Sequence, residues 1–268
     1  MILGIDTSST DLSVSLCVDG VPLSSVDRYV KNAHAEHIAQ AVAAALGLGG
    51  ADVGDVTHVA VSAGPGSFTG LRIGLSFVKG FCMAVERTVL PLSSLLVLAH
   101  AAAAVGCAGS QSRRIFTAID ARQGRLHWGG FIYNGDNNNG GKNNIRRLSE
   151  DRLSSSEELL RELSQNDILI TDTMGYRRGA VFGEFCGAAQ IVDAQKSFLR
   201  RGLSCASIAF DTIVNNANRV NAAVNTVNDS VNSGLGNDYD NDEFHWRPAS
   251  QIVPNYLQAS AAEEKRAS

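Results

Sequence analysis

The stretch "SAGPGSFTGLRIG", residues 62–74, contains four glycines, one proline and one arginine in thirteen positions. It follows the alternating apolar pattern of "THVAVS", which predicts a strand, and its own apolar residues then recur at helical spacing. The sequence therefore predicts an abrupt change from strand to helix, with Ser67 as the helix N-cap and the helix spanning residues 67–86. The apolar stripe of this helix comprises Leu71, Leu75, Val78, Cys82 and Val85.

The glycines in this stretch have a structural and a chemical interpretation, and both stay open. A P-loop would end in Gly-Lys-Ser/Thr, and a dinucleotide fingerprint would read G-x-G-x-x-G, but the stretch contains neither. Structurally, Gly70 and Gly74 lie one helical turn apart and let another backbone approach closely. Chemically, free N–H groups at a helix start bind phosphate. A cation in the first turn opposes the helix dipole, so we expect Arg72 to have a partner.

Composition indicates an ordinary globular protein. The 268 residues are 44% hydrophobic and 19% charged, with a formal net charge of −4, so the chain lacks the basic character of a nucleic-acid-binding protein. The five cysteines form no C-x-x-C pair, which favours the reducing cytoplasm. The N-terminus predicts a strand rather than a signal peptide. The apolar run 95–105 is too short to span a bilayer, so we expect no membrane role.

The chain repeats a pattern. "MILGIDTSSTDLSVSLCVDG" and "RIFTAIDARQGRLHWGGFIYNG" each show an apolar strand ending in Ile-Asp, then a turn and an alternating strand. Asp6 and Asp120 occupy the same place in the two copies. We therefore predict two related α/β halves, residues 1–108 and 109–268. The Asn-rich segments 134–144 and 215–242 are expected to be irregular surface.

The first helix begins with two histidines. "HAEHIAQAVAAAL" places Ile38, Val42, Ala45 and Leu46 on one helical face. His34 and His37, at i and i+3, could face one metal ion, but the sequence offers no third ligand; the alternative is a pair of surface histidines. No nucleophile, base and orienting group can be assembled, so we nominate no catalytic residue and no metal site.

Four motifs together resemble the TsaB (YeaZ) family, whose members act in making threonylcarbamoyladenosine on tRNA. The motifs are "GPGSFTGLRIG", "ILGIDTSSTDLSVSL", "HAEH" and "IDARQGRLHWGGF". Arg125 and His127 stand where the family usually has Glu and Tyr, and Gln258 replaces an arginine in the C-terminal "PNYLQ". The resemblance implies an actin/Hsp70/sugar-kinase-like (ASKHA) fold, with two duplicated halves that each hold a mixed sheet flanked by helices. It also implies a protein similar to the catalytic subunit TsaD but without its metal site.

The resemblance further implies a non-catalytic subunit that binds TsaD directly, the ATPase TsaE through the complex and tRNA only indirectly. In the family the first two helices form the TsaD interface and support a homodimer when the partner is missing. On this interpretation Gly74→Leu leaves the monomer folded but weakens partner binding. The interface residues carried over are His34, His37, Val42, Gly70, Arg72, Gly74 and Phe77.

Nucleotide binding is the remaining expectation. The resemblance places the phosphate-binding turn of ASKHA proteins at Asp6, Thr7 and Ser8, with Asp120 as its counterpart; the alternative is a pair of turns closed by Asx and Ser/Thr hydrogen bonds. We expect no tightly bound cofactor, and ATP or ADP bound weakly near the partner interface is a candidate ligand. The other candidate nucleotide contacts are Gly64, Gly66 and Ser67. The alternative function is a stand-alone ASKHA enzyme, either an ATP-dependent kinase or transferase or a metalloprotease-like protein.

Overall fold

The computed structural model describes most of the chain in separate stretches. They are residues 1–31, 33–83, 87–105, 111–135, 145–171, 190–194, 199, 201–214 with side chains, 215–226 as backbone, and 246–253. The Asn-rich positions 136–144 and 227–242, together with Val85 and Gln258, lie outside the described residues.

Two sheets of the same topology form the framework. In the first, β1 pairs antiparallel with β2 and parallel with β4, giving the order β12-β5-β4-β1-β2-β3. In the second, β6 pairs antiparallel with β7 and parallel with β10, giving β11-β10-β6-β7-β8, while β9 also pairs with β7. The strands are β1 (Ile2–Asp6), β2 (Asp11–Val18), β3 (Val21–Tyr29), β4 (His58–Gly64), β5 (Thr88–Ser93), β6 (Arg113–Asp120), β7 (Arg125–Tyr133), β8 (Ile145–Arg147), β9 (Arg152–Ser155), β10 (Ile168–Thr171), β11 (Gln190–Asp193) and β12 (Arg247–Pro248).

The shared strand order confirms the predicted duplication and the ASKHA-type fold. A three-stranded antiparallel meander followed by parallel strands is built twice. The helices are α1 (His34–Leu48), α2 (Phe68–Met83), α3 (Ser94–Ala104), α4 (Ser156–Glu162) and α5 (Arg201–Thr226). Short 3-10 turns occur at Val53–Asp55 and Ala249–Gln251.

The layers follow from the apolar faces. α1 and α2 cover one face of the first sheet, and the predicted apolar stripes are buried, apart from Val85, which lies outside the described residues. α3 and α5 lie between the two sheets and form a central core with both, and α4 packs on the outer face of the second sheet. α3 is apolar on nearly all sides because it is enclosed by both sheets.

Two segments from beyond residue 109 return to the first sheet. The start of α5 crosses β1 and β2, and the backbone N–H of Gly202 donates to Ser13 Oγ at 2.8 Å. β12 pairs with β5 at the edge of the sheet, and Ile252 is fully buried against the α1 and α2 layer. The division at residues 108 and 109 stays a prediction. The expectation of irregular structure for residues 215–226 was wrong, because these residues continue α5.

Candidate functional site

The carboxylate of Asp6 lies at the carboxyl end of β1 and is bound by the protein itself. Its oxygens accept hydrogen bonds from the Ser8 backbone N–H at 3.0 Å, from Ser8 Oγ at 2.9 Å and from Ser62 Oγ. Ser62 reaches Asp6 because β4 runs parallel to β1. Asp6 is fully buried. These hydrogen bonds compensate the cost of removing its carboxyl group from water. The Ser8 bond is the Asx turn given above as the alternative to a phosphate loop.

The start of α2 closes over the turn between β1 and β2. The Ser67 N–H donates to the Ser8 carbonyl at 2.7 Å, and Ser67 Oγ caps the helix by accepting from the Gly70 N–H at 3.2 Å. This bond confirms Ser67 as N-cap. Thr7 and Ser8 are buried beneath this helix start, and Thr7 Oγ1 has no hydrogen-bond partner among the described residues.

Gly70 and Gly74 allow the close approach that the sequence predicted, but the neighbour is not a partner helix. A Cβ at Gly70 would lie within 3.0 Å of the Thr7 carbonyl oxygen, and a Cβ at Gly74 would lie equally close to Thr7 Oγ1. Both glycines are buried. Their assignment to the partner interface was therefore wrong, because they pack α2 against the protein's own turn.

The assignment of His34 and Val42 to the partner interface was also wrong, because both side chains point into the protein. His34 is 3% exposed and its Nε2 lies 3.4 Å from the Asp11 carbonyl oxygen, so it is not a surface histidine. Val42 is 3% exposed within the core beneath α1. Neither side chain can contact another molecule unless α1 moves away from the sheet.

The other three interface residues lie nearer the surface. Arg72 is exposed and its guanidinium lies 4.1 Å from the centre of the Phe68 ring, so the expected partner of this cation is on its own helix. Phe77 is half-buried and stacks on Phe81 with ring centres 5.9 Å apart. His37 is half-buried as well.

The outer face of α1 and α2 is composed mostly of small and apolar residues. We call the exposed residues of this face the α1–α2 surface. They are Ala35, Glu36, Ala39, Gln40, Ala43, Phe68, Arg72, Ser76, Gly80 and Met83. Two large apolar side chains of this surface are exposed, Phe68 at 37% and Met83 at 86%.

The nucleotide candidates divide between the two halves. The first-half turn residues lie together but buried, whereas Gly66 and Ser67 are half-buried at its rim and Gly64 is buried. In the second half Asp120 accepts from the Arg122 N–H at 3.0 Å, the same Asx turn as at Asp6 and Ser8. Because α2 seals only the first turn, the second turn is the more exposed of the two.

The sequence did not indicate a cluster of hydrogen-bonded side chains that connects the end of β5 with the segment between β8 and β9. Asp151 accepts from Ser93 Oγ at 2.7 Å and from the Arg147 guanidinium. Ser93 also caps α3, accepting from the Leu96 N–H at 3.4 Å. Ser93 ends β5 as Asp6 ends β1, and both strands belong to the parallel part of the first sheet. That shared position is the signal by which Ser93 could have been found.

His127 lies near Asp151, and its titration is expected to make the stability of the folded chain depend on pH. Burial lowers its pKa to about 4, with Asp151 acting in the opposite direction, and its Nδ1 has no partner among the described residues. The unfolded chain binds a proton near pH 6.5 and the folded chain only near pH 4, so stability is lost as the pH falls through this interval. We expect a loss of about 3 kcal/mol between pH 7 and pH 4 that His127→Phe removes.

Urea unfolding at a series of pH values measures this dependence. The measured quantity is the difference in slope between the wild-type chain and His127→Phe, since other groups titrate equally in both. Parallel pH profiles would contradict the assignment.

A family model described as TsaD, tRNA N6-adenosine threonylcarbamoyltransferase, matches residues 26–266. The chain belongs to this family. The tRNA threonylcarbamoyladenosine biosynthesis protein TsaB of Escherichia coli (strain K12) is 33% identical over 127 residues, covering 47% of this chain and 53% of the relative. TsaB of Haemophilus influenzae is 27% identical over 167 residues, covering 62% and 68%. Both of these relatives are TsaB proteins.

A solved structure supports the fold. YeaZ from Pseudomonas aeruginosa superposes with a TM-score of 0.64 at 22% identity, covering 96% of this chain and 99% of that one. The sequence match to the E. coli relative spans about half of that protein's length. Among the described residues, no helix is both long and apolar enough to cross a membrane, and no three His, Cys, Asp or Glu side chains gather as metal ligands.

Proposed function

We propose that this protein acts as TsaB, a non-catalytic subunit of the complex that makes threonylcarbamoyladenosine on tRNA. It binds a TsaD homologue through the α1–α2 surface and supports binding of TsaE to the pair. The complex transfers a threonylcarbamoyl group from its adenylate to the adenosine beside the anticodon. tRNA contacts other subunits, in keeping with the net charge of −4.

The observation that carries the proposal is the α1–α2 surface. The exposed positions of α1 are largely alanines, which let another helix approach closely without loss of side-chain entropy. The exposed positions of α2 add Phe68, Arg72 and Met83, which are the aromatic, arginine and methionine types enriched at interfaces. The family match to TsaD supports a partner of the same fold.

The closed β1–β2 turn supports the non-catalytic role. Every oxygen of the Asp6 carboxylate accepts from a serine of the protein, and the start of α2 covers Thr7 and Ser8. A phosphate could reach this turn only after α2 had been displaced. We therefore expect the isolated chain to hydrolyse ATP no faster than buffer alone. Measurable turnover that is lost in Asp6→Asn would instead support the stand-alone enzyme.

Ala43→Trp tests the interface. Ala43 is exposed on α1, so the indole should not disturb the core, but its bulk would separate the two helices in the complex. We expect unchanged thermal unfolding and an affinity for the TsaD homologue about tenfold lower, from an overpacking cost of roughly 1–3 kcal/mol. Calorimetric titration of the two purified subunits measures the affinity.

The matched control is Ala104→Trp, at an exposed alanine that ends α3 outside the α1–α2 surface. It should bind the TsaD homologue like the wild-type chain. Cells that rely on Ala43→Trp should contain less threonylcarbamoyladenosine, measured by mass spectrometry of digested tRNA. Equal affinities for Ala43→Trp and the wild-type chain would place the interface elsewhere.

A further inference from the structure

A second exposed apolar surface lies at the end of the first sheet where β1 begins. Three segments meet there: the β2–β3 hairpin, the carboxyl end of α1 and the 3-10 turn Val53–Asp55. Val18 pairs with Val21 at the hairpin, and the Thr57 N–H donates to the Met1 carbonyl at 3.0 Å. This end lies opposite the Asp6 turn, because Asp6 ends the strand that Ile2 begins.

Four large apolar side chains are exposed at this end: Val21 at 65%, Leu23 at 44%, Leu48 at 72% and Val53 at 48%. Leu23 lies against Gly49, where its Cδ2 would be 3.1 Å from an added Cβ, so the hairpin and the end of α1 are in contact. We call these four residues the basal patch. Scattered single apolar residues are normal on a surface, but four on three adjoining segments suggest a contact site.

The exposed charged side chains of the segments that form the basal patch are all acidic. Asp19, Asp52 and Asp55 are all exposed, and residues 18–24 and 46–58 contain no lysine or arginine. Cationic groups of the described residues also reach this end, among them the Met1 amine and the Arg87 guanidinium. The Met1 amine donates to the Asp55 carbonyl at 3.2 Å, and Arg87 is 3% exposed with its guanidinium donating to the Val53 and Val56 carbonyls. Neither lies among the exposed side chains of the rim.

We propose that the basal patch docks a basic amphipathic segment of a partner protein. The apolar side chains of such a segment would cover the four exposed residues, and its lysines or arginines would face the three aspartates. A second copy of this chain fits less well, since it would bring three aspartates against three aspartates. This surface is separate from the α1–α2 surface and is not needed for the proposed function.

The experiment uses the full chain and two synthetic helices. Both helices carry leucine at positions i, i+3, i+4 and i+7; one has lysine at the remaining positions and the other has glutamate. Fluorescence anisotropy measures binding of each labelled helix. We expect the lysine helix to bind, the glutamate helix not to bind, and Leu48→Asp to abolish binding of the lysine helix.

The charge variant replaces Asp19, Asp52 and Asp55 by asparagine. Asparagine tolerates the left-handed backbone at position 19, where φ is 51°. At position 55 it keeps a side-chain oxygen that can accept from the Asp52 N–H, as Asp55 Oδ2 does at 2.8 Å, so the fold should be retained. We expect the lysine helix to bind this variant about tenfold more weakly. The matched control replaces the exposed Glu150, Glu157 and Glu158 by glutamine and should bind normally.

Three outcomes would overturn the proposal. The glutamate helix could bind as well as the lysine helix, which would indicate apolar adhesion without charge recognition. The control variant could weaken binding as much as the aspartate variant, which would indicate a general effect of net charge. Sedimentation could show self-association of the wild-type chain that Leu48→Asp abolishes, which would assign the patch to a second copy.

Discussion

Gly74→Leu is expected to destabilise the folded chain by about 3 kcal/mol, a loss of stability rather than of partner affinity. A Cβ at this position would lie within 3.0 Å of Thr7 Oγ1, and Thr7 is itself fully buried in the turn beneath α2. The leucine could be accommodated only by moving α2 away from the turn. The gain in helix propensity, at most about 1 kcal/mol, does not offset that cost.

Gly80→Leu is the control for this prediction, because it makes the same change on the same helix. No atom lies within 4 Å of an added Cβ at Gly80, which is exposed on the α1–α2 surface. This variant should unfold at the same temperature as the wild-type chain or slightly above it, and should bind the TsaD homologue more weakly. Differential scanning calorimetry and titration of both variants give the comparison. A stable Gly74→Leu with weakened binding would restore the sequence-based assignment of Gly74 to the interface.

Gly4→Ala is expected to be at least as destabilising, by about 3 kcal/mol or more. A single methyl group at Gly4 would lie within 3.0 Å of the Gly202 carbonyl oxygen and of the Ala206 N, both backbone atoms of α5. A side chain can rotate away from an intruding methyl group, but helix backbone cannot. The substitution therefore lifts α5 off the first sheet and opens the core between the two sheets.

The control for Gly4→Ala is Gly130→Ala, also within a strand. An added Cβ there would meet the Phe116 ring at 3.2 Å, a contact that a small movement of the ring can relieve. Urea unfolding should show a clearly larger loss for Gly4→Ala than for Gly130→Ala. Equal losses would mean that any strand glycine is equally sensitive and that the approach of α5 is not special.

The two glycine predictions show where sequence reasoning was limited. The pattern in residues 62–74 correctly indicated a strand, a capped helix start and a close approach of two backbones. It did not identify the neighbouring segment, because a glycine indicates only that there is little room for a side chain at that position. Nothing in the local sequence around Gly4 indicated that a glycine is needed there. The segment that packs against it begins near Gly202, 198 positions further along the chain.

The same limit applies to the charged and polar residues of the site. The Ile-Asp repeat predicted that Asp6 and Asp120 are equivalent, and the two Asx turns agree with that. Whether each turn is open or closed could not be predicted, because α2 covers only the first one. Likewise Asp151 binds Ser93 across 58 positions, a pairing that no local pattern indicates.

The sequence by itself determined what depends on local periodicity and on repetition: the meander, the helices α1 to α3, the duplicated sheets and the family. These follow from the spacing of apolar residues and from hydrogen bonds between near neighbours, both of which can be read along the chain. Only the tertiary structure decided which faces of α1 and α2 are free, which glycines are enclosed and where α5 returns. Those properties depend on contacts between residues far apart in sequence, because the volume that one segment occupies limits the size of the side chains on the segment packed against it.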